Sequence, residues 1–196
     1  MKVAGVILAG GKAKRMGSAN KALLVLGNTP LVVRVAHRLR PQVDVLGLNA
    51  NRDLNLFLEV GIDAPIVNDG IGGSLGPLDG ILGALLFAEG QGCSHALTVS
   101  VDTPFIPLDL AEKLASHTNS QVAIALSNGR LHGTCGLWPT TQIDKLTAFI
   151  LSGKSLKLLH YLSENGCVEV PFEGDDPDPF FNINTPDDLA AATRWL

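Results

Sequence analysis

Short apolar runs rich in β-branched residues alternate along the chain with segments whose apolar positions recur at helical spacing. The runs that read as strands are Val3 to Leu8, Val43 to Leu48, Pro65 to Val67, Ala96 to Val101 and Val122 to Leu126. Their near-continuous hydrophobicity suits strands covered on both faces. Between them, Leu31 to Leu39, Arg52 to Val60, Leu78 to Ala88 and Leu108 to Ala115 carry helical periodicity, and each is long enough to cover a strand. The alternation predicts an α/β three-layer sandwich with a mostly parallel, Rossmann-like sheet. Asn128-Gly129 reads as a tight turn after which Leu131 to Trp138 returns as a strand, antiparallel to the rest. Near the C-terminus Thr185 is placed to cap a helix, with Pro186 at its first position and Asp188 three residues after the cap; this helix is expected to reach about Trp195. The acidic, turn-rich stretch Glu173 to Pro179 reads as a solvated loop and not as a site. No repeat or linker divides the chain, so residues 1–196 are expected to form one domain.

With 46% hydrophobic and 17% charged residues, the 196-residue chain is neither disordered nor a coiled coil. Its net charge of -4 argues against wrapping nucleic acid. The distribution of that charge says more. Lys2, Lys12, Lys14, Arg15, Lys21, Arg34, Arg38 and Arg40 lie before Asp44, and no carboxylate accompanies them. A basic stretch of this kind points to a small anion bound near the N-terminal end. Cys93, Cys135 and Cys167 are odd in number and far apart, so they read as reduced core thiols, not as a metal knuckle or a disulfide framework. Lys12, Lys14 and Arg15 interrupt the first apolar run too soon for a signal peptide, and no run approaches the roughly 20 apolar residues of a membrane span. A cytoplasmic protein without membrane contact is expected, and a monomer, since no large exposed apolar stripe is obvious.

The first strand empties into Leu8-Ala9-Gly10-Gly11-Lys-Ala-Lys-Arg15-Met-Gly17-Ser-Ala-Asn20-Lys21. Successive N–H groups of a glycine-rich turn can converge on phosphate oxygens, Arg15 can fork onto them, and Lys21 supplies a point charge. On such a loop Lys21 is expected to have little packing to lose. The bases alone would read as solvated lysines; strand, double glycine and bases together favour phosphate binding. Neither a P-loop nor a G-x-G-x-x-G motif occurs. A second constellation is Asp102-Thr-Pro, where an apolar strand ends in a carboxylate. Ligands gather beyond the carboxyl ends of strands in open α/β sheets, and an aspartate there can hold Mg2+ together with water and phosphate oxygens. Asp69, after the short strand ending at Val67, would sit at the same edge, although either aspartate could instead cap a helix or start a turn.

Taken in order, Leu8-Ala-Gly-Gly-x3-Arg15-Met-Gly-x3-Lys21, Asp69, Gly76-Pro-Leu-x-Gly80, Asp102-Thr-Pro and Asn182-Ile-Asn-Thr-Pro-x-Asp-Leu189 resemble the bacterial molybdenum cofactor guanylyltransferases over nearly the whole chain. The first motif is shared by many nucleotidyltransferases; the last makes the resemblance considerably more specific. It implies a fold of the nucleotidyltransferase type and transfer of a guanylyl group from GTP to the phosphate of molybdenum-molybdopterin, with Mg2+ required and pyrophosphate released. By position, Leu8, Ala9, Gly10 and Gly11 would hold the nucleotide through the loop, Lys21 its phosphates, Asn49 the guanine side and Asp69 the nucleotide. Asp102 would bind the metal, and Arg15 and Lys21 would neutralise charge. The C-terminal part would hold the pterin, through Asn182, Asn184, His132 and Lys154, with Arg130 and Lys157 on the same side. A protein that delivers the cofactor is a further candidate partner.

The acceptor already ends in an anionic phosphate, so no general base is required, in keeping with the lack of any recognisable nucleophile-base pattern. Three positions depart from the family: Asn20 replaces an aspartate before Lys21, Gly133 replaces a proline after the histidine, and Ser100-Val101 precedes Asp102. Two alternatives stay open at the level of residues: a related nucleotidyltransferase using CTP or a sugar phosphate, and a catalytically idle nucleotide-binding domain.

Overall fold

Alternate residues of the first strand, β1 (Val3–Leu8), enter two different cores: Val3 and Ile7 pack on one face of the sheet, Ala4 and Val6 on the other. That is why this run shows no polar alternation. The computed structural model describes residues 1–10, 21–50, 55–72, 75–118, 120–153, 155–174 and 176–196. Following β1 are a small hairpin, β2 (Val25–Leu26) and β3 (Thr29–Pro30), then α1 (Leu31–Leu39), β4 (Val45–Asn49), α2 (Asn55–Leu58), β5 (Ile66–Val67), α3 (Pro77–Gly90) and β6 (His95–Ser100). The second half contributes α4 (Leu110–His117), β7 (Ala123–Ser127), β8 (Arg130–Pro139), α5 (Ile143–Leu151), α6 (Leu158–Asn165), β9 (Val168–Pro171) and α7 (Pro186–Thr193).

The main sheet runs β5-β4-β1-β6-β8-β7-β9. Only β8 opposes its neighbours, pairing antiparallel with both β6 and β7, as the Asn128-Gly129 turn predicts. On one face α1, α4 and α7 cover Ile7, Leu97 and Val99; on the other α3, α5 and α6 cover Val6, Ala96 and Trp138. The chain moves outward from β1 to β4 and β5, then crosses through α3 to β6 on the opposite side of β1. This reversal opens a crevice at the carboxyl ends of β1 and β6, the usual ligand position in such sheets. Leu8 is in register with Asn49 on one side and Ser100 on the other, which brings three candidate segments to one edge.

Helix α3 lies close to that edge because of its glycines. A Cβ on Gly83 would stand 2.0 Å from the Asn68 carbonyl oxygen, and one on Gly80 would stand 2.9 Å from Asn49 Oδ1. Helix α7 begins with the expected capping box: Thr185 Oγ1 accepts the Asp188 N–H (3.1 Å), while Asp188 Oδ2 accepts the N–H groups of Thr185 (2.8 Å) and Asn184 (2.9 Å). Burial alone would raise the Asp188 pKa, but these hydrogen bonds and the Lys21 charge hold it below its ordinary 3.8. A depressed pKa stabilises the fold above the unfolded value and ceases to do so as pH falls through the folded one. Asp188→Ala should therefore cost about 1 kcal/mol near neutral pH, with the gap from wild type closing below pH 3.8. Urea denaturation across the acid range checks this, and a gap independent of pH would contradict it.

The expected boundaries shift in several places. Strand β4 starts at Val45, because Asp44 turns its carboxylate onto the Val3 N–H (2.8 Å). The final helix ends at Thr193, and the helix expected from Arg52 to Val60 is seen as Asn55–Leu58, its residues 52–54 lying outside the described residues. Helices α5 and α6, strand β9 and the β2-β3 hairpin are additional elements. The three cysteines are free; Cys93 and Cys135 are buried, and Cys167 is only half-buried. Among the described residues no helix is long and apolar enough to cross a membrane.

Candidate active site

Lys21 opens a short 3-10 turn, and its side chain reaches back across the carboxyl edge of the sheet. Its Nζ lies 2.7 Å from Asp102 Oδ2 and 2.6 Å from Asn184 Oδ1. The expectation of a loosely held surface lysine is thus corrected: residue 21 is only 7% exposed and tied to two distant segments. An ammonium has three N–H donors. Two are used among the described residues, leaving one for an oxygen of an incoming anion. Asp102 lies two residues beyond β6, in a turn where Thr103 N–H donates to the Ser100 carbonyl (3.2 Å). The Ile183 N–H donates to the Asp102 carbonyl (3.0 Å), docking the Asn182-Ile-Asn-Thr segment directly onto this turn.

At the neighbouring strand end, Asn49 is buried and donates through Nδ2 to the Val67 carbonyl and to Asp69 Oδ1, both at 3.0 Å. Both amide hydrogens are thus engaged, and the residue's visible role is to hold Asp69 at the sheet edge. Leu8, Ala9 and Gly10 leave β1 beside them, with the Ala9 N–H donating to the Asn49 carbonyl (2.8 Å). Asp79 on α3 is also buried. Its Oδ1 accepts the Ile71 N–H (2.7 Å), tying down the segment after Asp69, whereas Oδ2 has no hydrogen-bond partner among the described residues. Gly11, Arg15, Asn20 and Lys154 lie outside the described residues.

The second half contains a cavity of about 920 Å³ lined by β7, β8, α6 and the Asn182 segment. Its size is within the range of small-molecule sites. Arg130, His132, Thr103, Cys135, Glu169 and Asn182 are on its wall. The asparagine pair is therefore split: Asn184 fastens Lys21 beside the strand ends, while Asn182 faces the cavity with Oδ1 buried and unpartnered among the described residues. An orphaned buried acceptor costs about 1–3 kcal/mol. Lys157 stands at the N-cap position of α6 without a side-chain capping bond, and it is not among the residues lining the cavity. Gly133 has a packing reason: a Cβ there would come within 2.8 Å of Leu158 Cδ2 on α6.

His132 is buried against Phe180, ring centroids 4.7 Å apart and nearly parallel. Burial lowers its pKa, opposed by the Asp178 charge and a hydrogen bond with the Ser127 backbone and reinforced by the Arg130 charge. Ser127 Oγ lies 2.8 Å from His132 Nε2 and donates to Asp178 Oδ1, also at 2.8 Å. Asp178 also accepts from Phe180 N–H (2.9 Å) and Asn128 Nδ2 (3.0 Å). Burial would raise its pKa, but these bonds and His132 hold it below the ordinary value. The loop read as merely solvated is thus fastened to the cavity wall through Asp178. Sequence reasoning missed Ser127, Asp178 and Asp79. Nothing along the chain couples Ser127 to a carboxylate 51 residues away.

Residues 5–165 match the MobA-like NTP transferase domain. A molybdenum cofactor guanylyltransferase from Mesorhizobium japonicum is 42% identical over 99% of this chain and 96% of its own length. Another, from Rhodobacter capsulatus, is 42% identical over 100% and 97%. Among solved structures, molybdopterin-guanine dinucleotide biosynthesis protein A from Archaeoglobus fulgidus superposes with a TM-score of 0.74 at 23% identity, covering 100% of this chain and 98% of that one. At that identity it supports the fold alone.

Proposed function

This chain belongs to the MobA-like NTP transferase family, and we propose that it works as a molybdenum cofactor guanylyltransferase, moving GMP from GTP to the terminal phosphate of molybdenum-molybdopterin. The observation that carries the reading is Lys21, held by Asp102 and Asn184 beside the ends of β1 and β6, with the pterin-sized cavity entered by Asn182 two residues from Asn184. One short segment thereby links a phosphate-binding lysine to the acceptor pocket. Full-length similarity to guanylyltransferases supports guanine as the base.

In the reaction, a phosphate oxygen of the pterin attacks the α-phosphorus of GTP. A new P–O–P link forms, the α–β bond breaks, and the electron pair leaves with pyrophosphate. Leu8, Ala9 and Gly10, with the Gly11 amide, cradle the nucleotide, while Asn49 holds Asp69 toward its base or ribose side. Arg15 and Lys21 neutralise phosphate charge, and Lys21 spends its third N–H on a phosphate oxygen. His132, Asn182 and Lys154 hold the pterin, with Asn184 serving through Lys21. Attack by an existing anion leaves orientation and charge neutralisation as the chain's principal tasks.

Mg2+ commonly takes one or two protein carboxylates and fills its shell with water and phosphate oxygens. Among the described residues no group of three or more metal-ligating side chains occurs, but Asp102 fits that sparser requirement, since among those residues its Oδ1 accepts no hydrogen bond while Oδ2 receives Lys21. Asp102 would hold the ion, which when bound supplies positive charge to the phosphates. We place the reaction in the cytoplasm, where the three unpaired thiols would remain reduced.

A thermal-shift panel of GTP, CTP, ATP and UTP with Mg2+ tests the nucleotide half, because ligands that bind the folded state raise its apparent stability. GTP should give the largest shift; a shift with CTP alone would contradict the assignment. Asn182→Ala should raise KM for molybdenum-molybdopterin about tenfold, the loss expected of one hydrogen bond of roughly 1.4 kcal/mol, and leave KM for GTP nearly unchanged. Equal increases in steady-state assays would place Asn182 in the turn that supports both sites.

A further inference from the structure

We propose that Ser127 and Asp178 are positioning residues that lock His132 as its Nε2–H tautomer, leaving Nδ1 as a fixed acceptor for a ring N–H or amino group of the pterin. This deepens the proposed reaction and rests on it for the identity of the ligand.

The hydrogen-bond directions follow from proton supply. Asp178 is held as a carboxylate and can only accept, so the single Ser127 hydroxyl hydrogen goes to Asp178 Oδ1 across 2.8 Å. Ser127 Oγ then has only a lone pair to offer His132, also across 2.8 Å, and the histidine must supply the proton from Nε2. A neutral imidazole protonated at Nε2 is an acceptor at Nδ1. Serine stands in the middle, with its proton committed to the carboxylate, so the trio cannot generate a nucleophilic alkoxide through His132. It orients the ring instead.

Three features fix this orientation. Ser127 is 2% exposed, so water cannot readily replace its partners. The Phe180 ring stacks on His132, and the Phe180 N–H binds the same Asp178 oxygen that receives Ser127. Asn128 Nδ2 holds the other carboxylate oxygen. His132 meanwhile lines the cavity that Asn182 also faces. A flipped or rotating imidazole would offer the ligand a donor in place of an acceptor, so the loop from Asp178 to Phe180 sets which edge of a heterocycle the cavity accepts.

The test combines 15N NMR of histidine-labelled protein, with His132 assigned by difference from His132→Gln, and steady-state kinetics. In the wild type Nε2 should carry the proton and Nδ1 should not, and molybdopterin should shift the Nδ1 resonance in the absence of GTP. Ser127→Ala, nearly isosteric and checked for folding by circular dichroism, should give mixed tautomers and a roughly tenfold higher KM for the pterin substrate, with KM for GTP within about twofold. Asp178→Ala, which leaves the Ser127 hydroxyl without its acceptor, should likewise give mixed tautomers and a raised KM for the pterin substrate with KM for GTP nearly unchanged. A proton on Nδ1 in the wild type, or a Ser127→Ala variant with altered tautomer but unchanged pterin KM, would overturn the proposal. Absence of GMP transfer by the wild type, with molybdopterin still shifting Nδ1, would instead overturn the assigned reaction and leave the locked histidine standing.

Discussion

Asp102→Asn should reduce turnover about a hundredfold or more while the folded state survives. The substitution retains size and one amide oxygen for Lys21, which binds the aspartate at 2.7 Å, but removes the formal charge that attracts a hard cation. A hundredfold loss corresponds to roughly 2.7 kcal/mol of transition-state stabilisation, a modest demand on a direct metal ligand. Were Asp102 only a turn former, asparagine would replace it with little effect, since the two residues serve caps and turns about equally. Turnover across a Mg2+ titration, with circular dichroism as the folding control, separates these outcomes. Near-normal rates at low Mg2+ would remove the metal role.

Lys21→Ala should be more damaging still, because it acts on catalysis and on the fold together. In the proposed reaction the missing ammonium takes with it a phosphate contact worth on the order of a hundredfold in rate. It also leaves Asp102 and the Asn184 amide oxygen without their shared donor, at side-chain exposures of 9% for Lys21 and 16% for Asp102. Breaking a fully buried pair costs about 3–5 kcal/mol; with Asp102 partly wetted, we expect roughly 1–3 kcal/mol. Urea denaturation measures the stability loss, and assays well below the melting temperature isolate the catalytic one. Unchanged turnover would return Lys21 to a purely structural role, whereas unchanged stability would deny the strap between the N-terminal loop and Asn184.

The carboxyl edge of the sheet was legible because parallel topology converts sequence pattern into position. Once Val3 to Leu8 and Ala96 to Val101 are read as parallel neighbours, the residues after them must meet at one edge, and Leu8 indeed stands beside Asn49 and Ser100. The capping box was legible for a different reason: Thr185 and Asp188 interact locally, over three residues. Helix α5 was also available, since Leu146, Phe149 and Ile150 share a face, yet the run is short and lies against a longer, stronger pattern of strands. Strand β9, only four residues, gains its identity by pairing with β7 and has almost no local signature.

The cavity of the second half was the least legible part. Its wall residue His132 is backed by Ser127, Asp178 and Phe180 through contacts spanning up to 51 residues, and an acidic loop rich in proline gives no sign that one of its carboxylates is bonded inward. The division of labour between Asn182 and Asn184 is similarly invisible in sequence. In an extended segment, neighbouring positions separated by two could be expected to share a face, yet here one residue enters the cavity and the other binds Lys21.

The most direct test supplies the purified full chain and Mg2+ with GTP labelled at the α-phosphate and follows the label into a molybdopterin-linked product alongside release of pyrophosphate. Molybdenum-molybdopterin and GTP together should give both signals in equal amounts, with neither appearing when the pterin is omitted and no transfer from α-labelled CTP. Transfer from CTP in preference to GTP, or tight GTP binding without pyrophosphate release in the presence of the pterin, would contradict the account.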